Sequence, residues 1–283
     1  MLSPHPARGA RAEDKGQAKE GTGVLLAVDV GNTEIVLGVF RGARLEHHWR
    51  LSTMPERTSD ELALLLSGFL AQREMSFESM ISGVVIASVV PAVTEALREM
   101  SARYFPFPPV IVGPGTKTGV PVLTDNPREV GADRIVNALA AFERFGGPAI
   151  VVDFGTGTNF DVVSAAGEFI GGVIAPGLQV SAASLVNSTA RLTRVELTTP
   201  RSVVGKNTVE AIQSGLIYGT AGEVDGIVDR IRADLGGSAV VIATGGLAPV
   251  VLPHCRTIDH HEPWLTLEGL RLVFDKNVVT ADE

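Results

Sequence analysis

Two short stretches join apolar strand residues to carboxylate, glycine and hydroxyl chemistry. In "LLAVDVGNTEIVLGVF", residues 25 to 40, an apolar run reaches Asp29, turn residues intervene, and apolar residues resume at Ile35. "AIVVDFGTGTNFDVV" restates the theme from residue 149, with Asp153 in the place of Asp29. A Gly- and Thr-rich turn at a strand end exposes backbone N–H groups and hydroxyls that cradle phosphate oxygens. A carboxylate beside it holds a cation, directly or through water, against the charge of a polyphosphate. A third turn, Gly245-Gly246 after "AVVIAT", suits close backbone approach to an adenine or ribose. The three together fit ATP gripped between two domains, without the "GxxxxGK[ST]" loop, which the chain lacks. Asp29 alone is as well explained as a turn residue. Its duplicate in register favours cation handling.

Other polar residues divide into ordinary and chemical readings. Asp133 stands in the first turn of the helix predicted for "GADRIVNALAAFERFG", where Asp interacts well with the helix dipole and its pKa is expected to fall. Thr208 follows Asn207 and precedes Glu210, a stretch that helix capping explains on its own. The pairs His47-His48 and His260-His261 have no carboxylate–histidine spacing and read as solvated loops, not metal ligands. Lys117 and Lys206 lie in Gly-rich loops, as phosphate screens or as ordinary surface lysines. Cys255 has no base near it in sequence and receives no role.

These residues need a scaffold, and the alternation of elements supplies an α/β one. Thr58 with Glu61 forms a capping box ahead of a helix whose face is Leu62, Leu65, Leu66 and Phe69. "SGVVIASVV" reads as a buried strand, and Pro91 opens the next helix. After the helix that begins near Asp133 ends at Gly146-Gly147, the opening theme repeats, so two related α/β domains face each other with a boundary near residue 146. The halves are 24–146 and 147–283, with "LTLEGLRLVFDKN" a terminal amphipathic helix of the second. Residues 1 to 23, rich in Pro, Gly, Ala and mixed charge, read as a disordered tail without the apolar core of a signal peptide. Along the long helix from Thr208, Gly215, Gly219, Gly222 and Gly226 share one face. Glycine weakens helices, so this stripe implies close approach of another backbone, its own sheet or another subunit, with packing inside the domain preferred.

Composition narrows the function classes. At 283 residues with 45% hydrophobic and 20% charged side chains, the chain has an ordinary globular balance. A net charge of −8 argues against general nucleic-acid binding. The longest apolar stretches are too short to span a bilayer, and a single cysteine fits a reducing, cytoplasmic setting.

The order of the turns resembles the acetate and sugar kinase, Hsp70 and actin superfamily. Within it, "DVGNT", "DNPREVGADRIVNALAA", "VVDFGTGTNFDVV", "GEFIGGVIAPG", "VVGKNTVEAIQSG" and "ATGGLAP" closely resemble the type III pantothenate kinases, over residues 24 to about 278. The resemblance implies two duplicated actin-like (ribonuclease H-like) domains with mixed sheets and an active site in the cleft between them. It implies ATP-dependent phosphorylation of pantothenate, the first step of coenzyme A synthesis, by a homodimer. Asp29, Val30, Gly31, Asn32, Thr33, Glu34, Ile35 and Val36 would form the first phosphate loop, with Asp29 placing the Mg²⁺ of MgATP, and Thr156 would contact ATP from the second. Asp153 matches the ligand of a monovalent cation, K⁺ or NH₄⁺. Gly131, Ala132, Asp133 and Arg134 match the pantothenate-binding segment, with Asp133 as the base and Arg134 suited to the substrate carboxylate. Thr208 matches a substrate contact that reaches the site from the neighbouring subunit. Three positions depart from the family pattern: Thr124 replaces a common tyrosine, and Gly157 and Asn159 alter the second loop. A non-catalytic, regulatory relative is the rival reading, and Asp29, Asp133 and Asp153 speak for the enzyme.

Overall fold

The chain is described by a computed structural model covering residues 23–188 and 195–278. Almost all of the expected N-terminal tail, and the start of the charged loop before Thr208, lie outside the described residues. The first half runs β1 (Val24–Val30), β2 (Glu34–Arg41), β3 (Arg44–Ser52), α1 (Ser59–Ala71), α2 (Phe77–Met80), β4 (Ile81–Ser88), α3 (Pro91–Tyr104), β5 (Val110–Ile111) and α4 (Ala132–Phe145). The second runs β6 (Ala149–Phe154), β7 (Gly157–Val163), β8 (Phe169–Pro176), α5 (Leu178–Asn187), α6 (Thr208–Asp234), β9 (Val240–Thr244), α7 (Ala248–Val251), β10 (His260–His261) and α8 (Leu265–Val278). The capping box at Thr58 and the N-terminal Pro91 open α1 and α3 as their sequences require.

Duplication is plain in the sheets. The first has the order β3-β2-β1-β4-β5 and the second, read from its other edge, β8-β7-β6-β9-β10. In each, three antiparallel strands are followed by two strands that run parallel to the last of them.

Strand periodicity decides where the two key carboxylates point. In β1, Leu26, Val28 and Val30 pack into the outer core with Leu62, Leu66, Leu97 and Met100 from α1 and α3. Leu25 and Ala27 face the other way, and alternation puts Asp29 on their side. In β6, Ile150, Val152 and Phe154 meet α6, while Ala149 and Val151 face inward and Asp153 follows in the same phase. Both aspartates therefore emerge toward the space between the sheets. That space is filled by α4 and α8, whose Val136, Leu139, Leu267 and Leu270 bury against residues of both sheets in one shared core.

Two expectations change. Chain order assigns α8 to the second half, yet it packs on α4 and on β1 and β4 of the first sheet. A side chain at Gly269 would begin 2.1 Å from the Val136 carbonyl oxygen, so α8 seats on α4 backbone to backbone. The glycine stripe of α6 does not pack against the described part of the domain: at Gly215, Gly219 and Gly222 an added Cβ would meet nothing within 4 Å among the described residues. The apolar face of α6 that meets the sheet is the one carrying Ile217, Val224 and Val228. Among the described residues no helix is long and apolar enough to cross a membrane.

Candidate active site

The two hairpin tips meet. Thr33 Oγ1 and Thr156 Oγ1 are 2.8 Å apart, one hydroxyl from each half. Each turn is closed by its own backbone bond, Gly31 N–H donating to the Glu34 carbonyl at 3.0 Å and Gly155 N–H to the Gly157 carbonyl at 3.0 Å. Thr53 braces the first turn by donating its hydroxyl to the Gly31 carbonyl at 2.7 Å. Behind the tips lies a cleft of about 460 Å³.

Three aspartates from three elements line this cleft: Asp29 from β1, Asp153 from β6 and Asp133 from α4. Burial pushes the Asp29 carboxyl well above the usual range; the negative charges of Asp133 and Asp153 add to this and Arg50 opposes it. Asp153 is pushed up to about 7 by burial and by Asp133, against a long contact from Asn137 Nδ2 at 3.5 Å. Asp133 is also raised, contrary to the lowering expected at a helix start. Burial outweighs the hydrogen bonds from the N–H groups of Arg134 and Asp133 itself, and the charge of Arg134. Its Oδ1 and the Oδ1 of Asn137, one helical turn on, are buried without hydrogen-bond partners among the described residues. A cluster of carboxyls that resists ionisation next to orphaned oxygens is a place where cations are favoured. No three acidic, His or Cys residues gather closely enough to hold a metal among the described residues, so a cation there would draw further oxygens from phosphate and water.

The remaining predicted residues are dispersed. Gly31, Asn32, Thr33, Glu34, Val36 and Thr156 line the cleft, whereas Val30 and Ile35 are buried in the outer core, on the opposite face of their strands. Gly131 caps the start of α4 and Ala132 is its first residue; neither lines the cleft. Arg134 does not line it either. Its Nε donates to Asp161 Oδ1 at 2.6 Å, and its guanidinium lies 5.2 Å from the Phe169 ring centre. Thr208 is exposed at the first position of α6, capped by Asn207, and does not line the cleft of its own chain. Gly245 takes φ +92 and a side chain there would start 2.5 Å from Asp153 Oδ1, so the third turn lies against the second carboxylate. Asn159 lines the cleft, and Thr124 carries a buried hydroxyl without a hydrogen-bond partner among the described residues.

Some readings need correcting. His47 and His48 belong to β3 and His260 and His261 to β10, so neither pair is a loop. The His48 and Trp264 rings lie 3.8 Å apart at a tilt of 31°, and His260 stacks on Phe145 at 4.6 Å. Lys117 and Lys206 do not line the cleft. The Cys255 thiol is pushed up to about 12 by burial and by Asp225, which keeps it inert. Sequence reasoning passed over Arg50, Trp264, Asn137 and Asp161. Only Asp161 carried a legible signal, a carboxylate inside the apolar strand "NFDVV".

A profile of the type III pantothenate kinases matches residues 25–230. The chain belongs to that family. The type III pantothenate kinase of Acidothermus cellulolyticus is 60% identical over 256 residues, covering 90% of this chain and 99% of the relative. That of Streptomyces coelicolor is 56% identical over 262 residues, covering 90% and 99%. Among solved structures, component A of (R)-2-hydroxyglutaryl-CoA dehydratase from Acidaminococcus fermentans superposes with a TM-score of 0.54 at 13% identity, covering 92% of this chain and all 100% of that one. A Campylobacter jejuni protein described as a Baf family transcriptional activator gives 0.53 at 17% identity, covering 89% and 98%. At such identities the likeness speaks for the fold alone, two duplicated actin-like domains.

Proposed function

We propose that this cleft transfers the γ-phosphoryl group of ATP to the primary hydroxyl of pantothenate, giving 4'-phosphopantothenate, with Asp133 aiming the hydroxyl and accepting its proton. The reading rests on one arrangement: two duplicated phosphate-type turns touch at Thr33 and Thr156, and Asp29, Asp133 and Asp153 line the cleft behind them. Phosphoryl transfer passes through a loose transition state, so positioning and charge stabilisation outweigh strong base chemistry. A buried Asp133 with a raised pKa and an unpartnered oxygen is suited to receive a proton late in the step.

Asp29 is the residue for the Mg²⁺ of MgATP, and Asp153 for a monovalent cation, K⁺ or NH₄⁺. Such cations supply the positive charge that lets a triphosphate approach these carboxylates. Arg134, Gly131 and Ala132 are assigned to pantothenate. In that role the Arg134 guanidinium would keep Asp161 and offer its remaining N–H groups to the substrate carboxylate. We assign Thr208 to the pocket of a partner subunit. Support comes from the glycine face of α6, uncovered by any described residue at Gly215, Gly219 and Gly222, and from Val203, Val204 and Val209 near the start of that helix, all more than 40% exposed. A homodimer follows from the assignment of Thr208, and the single cysteine fits a cytoplasmic setting for it. The experiment is an ADP-release assay with pantothenate in potassium, ammonium, lithium and tetramethylammonium salts. Pantothenate-dependent turnover in K⁺ or NH₄⁺ and a strongly raised KM for ATP in the other two are expected. No pantothenate-dependent turnover in any salt would refute the activity, and equal turnover in all would remove the cation from Asp153.

A further inference from the structure

The cleft is strongly acidic for a site that receives a polyphosphate. Asp29, Glu34, Asp133 and Asp153 line it, and among the described residues Arg50 is the one cationic side chain that does. Arg50 lies on β3 opposite Val36 of β2, two residues past the first turn. Its Nη1 donates to Glu34 Oε2 at 2.8 Å, and the pair is partly open, with side-chain exposures of 37% and 52%. The guanidinium carbon stands 5.5 Å from the ring centre of Trp264, which itself lines the cleft. Across the cleft, a side chain at Gly246 would begin 3.2 Å from Nη1, so Arg50 reaches from the first sheet to the Gly245-Gly246 turn of the second. His48, whose ring centre is 3.8 Å from that of Trp264, is held below its ordinary pKa by burial and by Arg50.

We propose that Arg50 is a nucleotide-binding residue of this cleft, whose guanidinium fork exchanges the Glu34 carboxylate for the phosphate oxygens of ATP. The inference rests on the proposed use of ATP and adds to it the residue that meets the polyphosphate. Three features fit this role. A guanidinium binds phosphate in a two-pronged manner that a lysine cannot match. The Trp264 face fixes the plane of the fork while leaving its edge for a ligand. Glu34 belongs to the first turn, so releasing it frees that turn to close on phosphate.

Arg50→Gln, Arg50→Lys and Glu34→Gln test this by calorimetric binding of MgATP and of adenosine, together with KM values for ATP and pantothenate. Arg50→Gln is expected to weaken MgATP binding and raise its KM by about 10- to 100-fold, the scale of a lost charge-assisted hydrogen bond. Adenosine affinity and the KM for pantothenate should stay within about twofold, since neither ligand carries a phosphate to meet the fork. Arg50→Lys should recover part of the loss. Glu34→Gln, which removes the competing carboxylate charge, should bind MgATP more tightly than the parent, and a weaker affinity would overturn the exchange. Unchanged MgATP affinity in Arg50→Gln would overturn the assignment, and so would equal losses for MgATP and adenosine, which would mark a merely structural role. If the parent protein itself binds no MgATP, the kinase reading falls and this inference with it, an outcome distinct from either of the others.

Discussion

Replacing Asp133 by Asn tests the proposed chemistry most directly. The amide keeps the shape and can still hydrogen-bond a hydroxyl, but it cannot take the proton. The expected loss in kcat is about 10²- to 10⁴-fold, or roughly 3–5 kcal/mol in the barrier, the range for a lost general base. The structure adds a second, opposite expectation. Asp133 has a buried oxygen without a partner, and its charge raises the carboxyls of both Asp29 and Asp153. Removing that charge relieves repulsion among three desolvated carboxylates, so Asp133→Asn should be more stable than the parent. A gain on the order of 1 kcal/mol moves the thermal midpoint up by about 2–4 °C in a chain of this size. MgATP binding should be unchanged or tighter, because Asp29 and Asp153 ionise more readily once Asp133 is neutral. The assays are steady-state ADP release at saturating substrates, calorimetric MgATP binding and a melting curve. Parent-like kcat would refute the assignment of the base. A fall in activity matched by a fall in midpoint would refute the claim that Asp133 is held against a stability cost for catalysis.

Asp153 and Asp161 carry carboxyls raised from 3.8 to about 7, so the folded state holds protons that the unfolded state releases. Stability should therefore rise as pH falls from about 8 to about 5.5, read as an increasing melting midpoint; a flat or falling profile in that window contradicts the burial of these groups. Thr208→Ala should raise the KM for pantothenate more than that for ATP. Mixed with Asp133→Asn under demonstrated subunit exchange it should recover activity, and no recovery would favour sites built within one chain. Gly219→Leu meets open space in the isolated chain, so the fold should persist while self-association weakens in sedimentation; an unaltered dimer would place the interface elsewhere.

Much of this site was legible from residue order because it depends on local rules. A period of two places Asp29 on the face of Leu25 and Ala27, and the same phase places Asp153 beside Val151, so duplicated text becomes duplicated geometry. Caps, turns and the repeat itself are likewise properties of neighbouring residues. What neighbours cannot specify is burial by distant parts of the chain. The pKa of Asp133 was expected to fall from its place on the helix, and it rises because the two halves of the chain close over that helix start and remove water. Arg50 becomes part of the cleft only because a hairpin edge folds opposite Gly246, nearly two hundred residues later. The helix α8 returns to the first sheet because the groove on α4 admits Gly269 there, a fit decided by three-dimensional packing. Periodicity and turn chemistry thus set which face each residue occupies, while desolvation and long-range approach, which exist only once the sheets enclose α4 and α8, decided which of those residues share a cleft and how strongly they resist charge.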